Sequence, residues 1–355
     1  MKSEWAAVIA FSASVLAIYL LRPLFLKIGL VDHPDTVRKQ HAVSTPLGGG
    51  LCILIGVLIT SLLVPELRDA GFKALLIALV PLLVVGMLDD MVETRTLVRV
   101  VAQIAAGILM VHEGGAVIRN LGALVAPNQL VTLHGWAVPF TLFCVLGVVN
   151  AINMIDGIDG LAGGVVLVAL GWFAVAGYML GAIADTLLAV TCMGAVAGFL
   201  VFNLRHPLRA RASIFLGDTG SMMLGFVLVW LSVRLTQVES GGLPAMAAVW
   251  VIGLPLLDTL AMIVRRLAQK RSPLSADRDH LHYVLLRAGL SPGQTVGVLL
   301  LVAWLFGAIG IWAWRAGIPE SVLFYGALTV YAAYLMVMYR VWTANEPARV
   351  ARARE

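Results

Sequence analysis

The chain has 355 residues, of which 60% are hydrophobic and only 13% charged, with a formal net charge of +5 and a mean hydropathy of +0.94. A soluble domain is typically about 25% charged, so this composition excludes a soluble globular fold and predicts an all-α polytopic integral membrane protein. The positive excess does not imply nucleic acid, because in such a protein the placement of basic residues carries the information.

Apolar runs taken in chain order predict about eleven transmembrane helices, near residues 4–27, 47–64, 71–88, 97–112, 136–151, 161–180, 184–204, 219–236, 243–265, 294–315 and 319–342. Runs of this length fit a hydrocarbon core about 30 Å thick with varied tilt. The first is too long for a signal-peptide core and has no convincing cleavage site, so it is read as a span. Pro81, Pro244 and Pro255 fall inside runs, where a packed bundle tolerates them. Cys52, Cys144 and Cys192 lie in apolar runs without metal-ligand spacing and read as small core residues. Val117–Leu121 and Gln129–Leu133, on either side of Ala-Pro-Asn, predict a short outer hairpin. Residues 1–344 form a single transmembrane domain in this reading, and 345–355 a tail.

Eleven spans put the termini on opposite sides. With the C-terminus inside, nineteen of the 25 Lys and Arg fall on the inner side. Only Lys2, Arg68, Lys73, Arg119, Arg234 and Arg315 remain outside. Basic residues favour the cytoplasmic side, so the N-terminus is expected outside and the tail in the cytoplasm.

The polar residues collect in the inner loops. These carry Asp32 to His41 with Arg38 and Lys39, then Asp89-Asp90 with Glu93, Arg95 and Arg99. Next come Asn150 to Gly164 with Asn153, Asp156 and Asp159, then Gly217-Asp218-Thr-Gly-Ser221, and finally Asp277-Arg278-Asp-His280-Leu-His282. Singly, each has a bland reading: boundary charges, a capping turn, surface histidines. Together they suit phosphoryl transfer. Spaced carboxylates beside small residues hold Mg²⁺, and Arg, Lys and His surround the remaining oxygens of a diphosphate. Asp156 and Asp159, three apart, would share one face of a helical turn. Gly217 to Gly220 open a span, where free N–H groups could add to anion binding.

These motifs make the chain resemble the polyprenyl-phosphate N-acetylhexosamine-1-phosphate transferases. The motifs are Arg38-Lys39-x-His41 with Pro46 and its glycines, Gly86-x-x-Asp89-Asp90, Asn150-x-x-Asn153-x-x-Asp156-Gly-x-Asp159-Gly, Gly217-Asp218-x-Gly-Ser221 and Asp277-Arg-Asp-His-Leu-His282. The last is similar to the GlcNAc-1-phosphate branch rather than to the phospho-MurNAc-pentapeptide translocase. Two places depart from the family pattern: Glu93 replaces an Asp, and Tyr283 replaces a final His.

The resemblance implies attack by the phosphate of a polyprenyl phosphate on the β-phosphate of a UDP-N-acetylhexosamine. UMP is released in a single displacement at the cytoplasmic face of a bacterial inner membrane. It implies Mg²⁺, with Mn²⁺ as a substitute, held chiefly by Asp218. Asp89 and Asp90 would position or deprotonate the lipid phosphate. Positioning is favoured, because that phosphate has a second pKa near about 6. Asn153, Asp156 and Asp159 would shape the nucleotide–metal pocket, while Arg278, His280 and His282 would close over diphosphate and sugar. Lys39 and Arg99 would contact phosphate. A homodimer stays open. A membrane prenyltransferase and a transporter with boundary carboxylates are the alternative classes. The first would normally carry two similar acidic motifs, and the second acids near span midpoints.

Overall fold

A computed structural model describes residues 2–32, 44–127, 129–205, 209, 211–238, 241–272 and 279–352, with side chains described between 5 and 343. The helices are α1 (Lys2–Ile28), α2 (Gly49–Leu63), α3 (Ala70–Val92), α4 (Thr96–Gly114), α5 (Ala137–Ile155), α6 (Leu161–Leu180) and α7 (Ile183–Asn203). They continue with α8 (Gly217–Thr236), α9 (Ala245–Val251), α10 (Gly253–Ala268), α11 (Leu281–Arg287), α12 (Pro292–Arg315) and α13 (Glu320–Arg352). Each predicted run is helical, as it must be where no water is present to bond the backbone. Local signals set several ends. Asp69 accepts the Phe72 N–H at 2.7 Å to start α3, Ser291 and Gln294 form a capping box on α12, and Gly115 ends α4 in the left-handed region.

The eleven expected spans are not eleven alike. Among the described residues nine helices are long and apolar enough to cross a membrane unaided. The run expected at 243–265 is broken: α9 and α10 meet at an angle of 83°. Pro255 lies in the first turn of α10 and cannot continue a helix from α9, since it lacks an N–H and its ring clashes one turn back. The second run, α2, has only 15 residues, about 22 Å at 1.5 Å per residue. It starts late because Gly49 and Gly50 donate their N–H groups to Phe215 and Leu216 at 2.9 and 3.0 Å. The outer hairpin is present in short form: the Leu121 N–H donates to the Val131 carbonyl and the Leu133 N–H to the Arg119 carbonyl, both at 2.8 Å, around an antiparallel bridge of Asn120 with Thr132. An unforeseen strand pair, β1 (Val31–Asp32) and β2 (Thr45–Pro46), closes the segment after α1.

Helix α8 is the axis of the bundle. Its spanning window is 83% buried, against 17% for α13 at the rim. Helices α2, α3, α5 and α6 pack around it. Two glycines set how closely they do so. A Cβ on Gly50 would stand 2.3 Å from the Gly220 Cα, and one on Gly86 would stand 2.6 Å from the Thr219 Cα. With no Cβ at either place, α2 and α3 touch the first turn of α8 backbone to backbone. That contact brings the acidic end of α3 to the start of α8.

Candidate active site

At the end of the bundle where α3, α5 and α7 finish and α4 and α8 begin lies an open cleft of about 820 Å³. Asp32, Asp89, Asp90, Glu93, Arg99, Asn153, Asp156, Asp159, Asn203 and Asp218 line it, with the Phe215–Gly217 backbone. Four of the expected inner loops therefore converge on one place.

The two adjacent aspartates of α3 have different partners. Asp90 turns to α8: its Oδ1 accepts the Asp218 N–H at 2.7 Å, and its Oδ2 accepts the Thr219 N–H at 3.1 Å and hydroxyl at 2.7 Å. It thus caps the N-terminus of another helix, satisfying amides that no helical carbonyl can reach and placing a negative charge at the positive end of the dipole. The expectation that these amides are free for a substrate anion is corrected: Asp90 is the anion. Asp89 turns back on its own chain. Its Oδ1 accepts the Thr94 N–H and hydroxyl, both at 2.5 Å, and its Oδ2 takes Arg99 Nη1 at 3.2 Å. Glu93, at φ 48°, makes the left-handed reversal that returns Thr94 to Asp89.

Asp218 faces the cleft. Its side chain is 31% exposed where that of Asp89 is 5%. Asn153 donates to its Oδ1 and, at 2.9 Å, to the Ser221 hydroxyl. Arg99 Nη1 lies 3.7 Å from the same Oδ1. One turn deeper, Asn150 donates to Gln103 Oε1 at 2.7 Å and steadies α5 against α4.

Asp156 and Asp159 do not share a helical face, because residues 156–160 form a turn between α5 and α6. Asp159 is engaged by Arg205 Nε at 2.7 Å and the Ala212 N–H at 3.1 Å. Asp156 stays open to the cleft. Desolvation by the surrounding protein, then the charges of Asp218, Asp90 and Asp159, push its carboxyl up to about 8. Asn203 was not anticipated. It accepts the Gly160 N–H at 2.7 Å and donates to the Ile214 carbonyl at 2.9 Å, tying the turn to the loop before α8. A lone Asn ending an apolar run was the only signal for it.

His280 and His282 do not line the cleft. They are 3% and 1% exposed and lie behind the turn, with His282 against Gly157. Burial holds His282 down at about 4, hence neutral. Residues 279–282 are drawn inward by Asp258, which accepts from His280 Nδ1 at 2.8 Å, and by ion pairs of Asp279 with Arg265 and Arg287. Asp258, in the second turn of α10, departs from the expectation that the polar residues collect in the inner loops. Lys39 and Arg278 lie outside the described residues.

Among the described residues no three His, Cys, Asp or Glu converge as a ready-made metal cage. Mg²⁺ does not need one, since it is commonly held by one or two carboxylates, waters and substrate phosphates. Asp218 fits that role, being a carboxylate open to the cleft beside Asp89. The Arg99 guanidinium already stands between these two acids as a positive charge, which is the chemistry a hard cation would supply there.

Glycosyl transferase family 4 matches residues 72–236. The chain is 34% identical to an undecaprenyl-phosphate alpha-N-acetylglucosaminyl 1-phosphate transferase of Yersinia pestis, over 99% of this chain and 93% of that protein. It is 33% identical to the enzyme of the same name from Escherichia coli K12, covering 93% and 92%. The Haemophilus influenzae enzyme of that name is 31% identical, covering 98% and 97%. With relatives this similar along nearly its whole length, and a family match across the helices that build the cleft, the chain belongs to glycosyl transferase family 4.

Proposed function

We propose that this protein transfers N-acetylglucosamine-1-phosphate from UDP-N-acetylglucosamine to undecaprenyl phosphate at the cytoplasmic face of a bacterial inner membrane. One observation carries the reading. The acidic cleft lies at one end of a membrane bundle, with Asp218 open between Arg99 and Asn153. There a soluble nucleotide and a lipid phosphate at headgroup level can meet.

In this reaction an oxygen of the lipid phosphate attacks the β-phosphorus of the nucleotide sugar. The new P–O bond forms as the bond to the bridging oxygen breaks, and UMP leaves with that oxygen. The attacking phosphate has a second pKa near about 6, so at neutral pH it needs little help in losing a proton. The chain agrees with that: both oxygens of Asp89 and both of Asp90 already accept hydrogen bonds. Asp89 holds Arg99, and Asp90 holds Asp218. Arg99 can exchange an acid partner for a phosphate oxygen, and Asn153 keeps Asp218 aimed into the cleft. Mg²⁺ bound at Asp218 would neutralise charge on the diphosphate. Lys39 and Arg278 remain proposed contacts to phosphate and sugar from sequence.

The test is UMP release by purified protein from UDP-GlcNAc, UDP-GalNAc and UDP-MurNAc-pentapeptide in competition, with and without undecaprenyl phosphate and Mg²⁺. Release from UDP-GlcNAc that requires both the lipid and the metal is expected. Preference for the pentapeptide nucleotide, or release without lipid, overturns the assignment.

A further inference from the structure

Asp258 stands in the second turn of α10, 3% exposed, inside a segment that reads as membrane-embedded. A buried carboxylate is costly unless fully bonded, and an acid in a membrane helix marks function more often than packing. This one is fully bonded. Oδ2 faces His280 Nδ1 at 2.8 Å, while Oδ1 accepts the Leu281 N–H at 3.0 Å and the Tyr334 hydroxyl, from α13, at 2.8 Å. The carboxylate accepts, so the His280 nitrogen that faces it carries the proton.

From His280 the contact runs on to the cleft. Its ring stacks on that of His282, with centroids 5.8 Å apart and planes 9° from parallel. His282 is 1% exposed, and neither of its ring nitrogens has a partner among the described residues. The ring is held by contacts with its neighbours, His280 and Tyr283, rather than by hydrogen bonds. Its Nε2 lies 2.4 Å from where a Cβ on Gly157 would stand. Gly157 forms the cleft wall between Asp156 and Ile158. The two imidazoles therefore carry the position of a helix α10 side chain to the turn that presents Asp156.

We propose that Asp258, supported by Tyr334, is a positioning residue for the transfer reaction, holding His280 and His282 against Gly157 and so setting the Asp156 turn. This rests on the function proposed above. The test uses the full chain in lipid nanodiscs, with steady-state kinetics and histidine-selective ¹⁵N magnetic resonance. Asp258→Asn should shift the His280 Nδ1–H signal and lower kcat by about tenfold or more, with nucleotide KM changed by less than about threefold. Tyr334→Phe should act in the same direction, more weakly. Gly157→Ala presses on the same contact from the cleft side, so its effect combined with Asp258→Asn should be smaller than the product of the two. Should Asp258→Asn fail to fold, Tyr334→Phe with Gly157→Ala gives the same cycle. Unchanged kcat in both Asp258→Asn and Tyr334→Phe, or a strictly multiplicative pair, overturns the proposal. If the wild type shows no turnover, the reaction assignment fails instead. The ring signals still decide the anchor: Gly157→Ala must move those of His282, and unchanged signals overturn it.

Discussion

At the scale of single residues, adjacent and chemically identical side chains have different duties. Asp90 and Asp218 are coupled through the amide of Asp218, which donates to Asp90 at 2.7 Å. Asp218→Asn keeps size but removes the charge a hard cation needs, so activity should fall by several orders of magnitude at any Mg²⁺ concentration. Asp90→Asn leaves Asp218 charged but less well placed; activity should fall less and recover in part as Mg²⁺ is raised. A Mg²⁺ titration of the two variants separates them, and full activity in Asp218→Asn would remove that residue from the site. Asp156 makes a different prediction. Its carboxyl is pushed up to about 8 in the folded protein, while an unfolded Asp titrates near about 3.9. Between those values the folded state binds the extra proton, so stability falls as pH rises through that window and the penalty is complete above it. Asp156→Asn should therefore melt higher than the wild type at pH 8, with the gap closing towards pH 4, in thermal unfolding without nucleotide or metal. The adjacent acids and the Asn153 motif were legible in the sequence as a site. Their division of labour was not, because which helix end an aspartate caps depends on a partner 128 residues away.

At the scale of elements, short polar fastenings fix how the helices meet. The loop between α4 and α5 is held at the far end of the bundle by Glu320, which accepts the Ala123 N–H at 2.8 Å and the Met246 N–H at 2.9 Å. Gln237 accepts from the amides of Arg119 and Asn120 at 2.9 and 3.2 Å. Glu320→Ala strips two amides of their acceptor and should cost about 1–3 kcal/mol. The melting temperature should drop while kcat per folded molecule stays unchanged, since the cleft is at the other end. A fall in kcat matching the fall in stability would show that this loop reaches the site after all. Helices as such were readable from apolar runs, because hydropathy alone dictates them. The break at Ile252 was not, although Gly253 and Pro255 were visible. A proline in a membrane run is compatible with a straight helix, a kink or a break, and the choice is made by neighbours: a Cβ on Gly253 would meet Phe306 of α12 at 2.9 Å. Beyond that break Asp258, Arg265 and Arg266 are buried together with His280.

At the scale of the whole molecule, counting Lys and Arg gave a sidedness that cysteine labelling can check in intact cells. A cysteine at exposed Gln269 should react only from the cytoplasm and one at exposed Gln129 only from outside, with the buried native Cys52 and Cys192 silent. Reaction of the Gln269 position from outside would invert the protein and remove the cleft from its nucleotide. The packing of α8 bears on what happens after catalysis. Immediately below the cleft this helix is filled in by Met222, Phe226 and Trp230, each no more than 1% exposed. Among the described residues a sugar diphosphate, with its charges and hydroxyls, finds no path down that axis, and moving it through bare hydrocarbon would cost far more than thermal energy supplies. On the function proposed above, loading the lipid carrier and carrying its headgroup to the far side are then separate events, since the filled axis of α8 offers no route for the second.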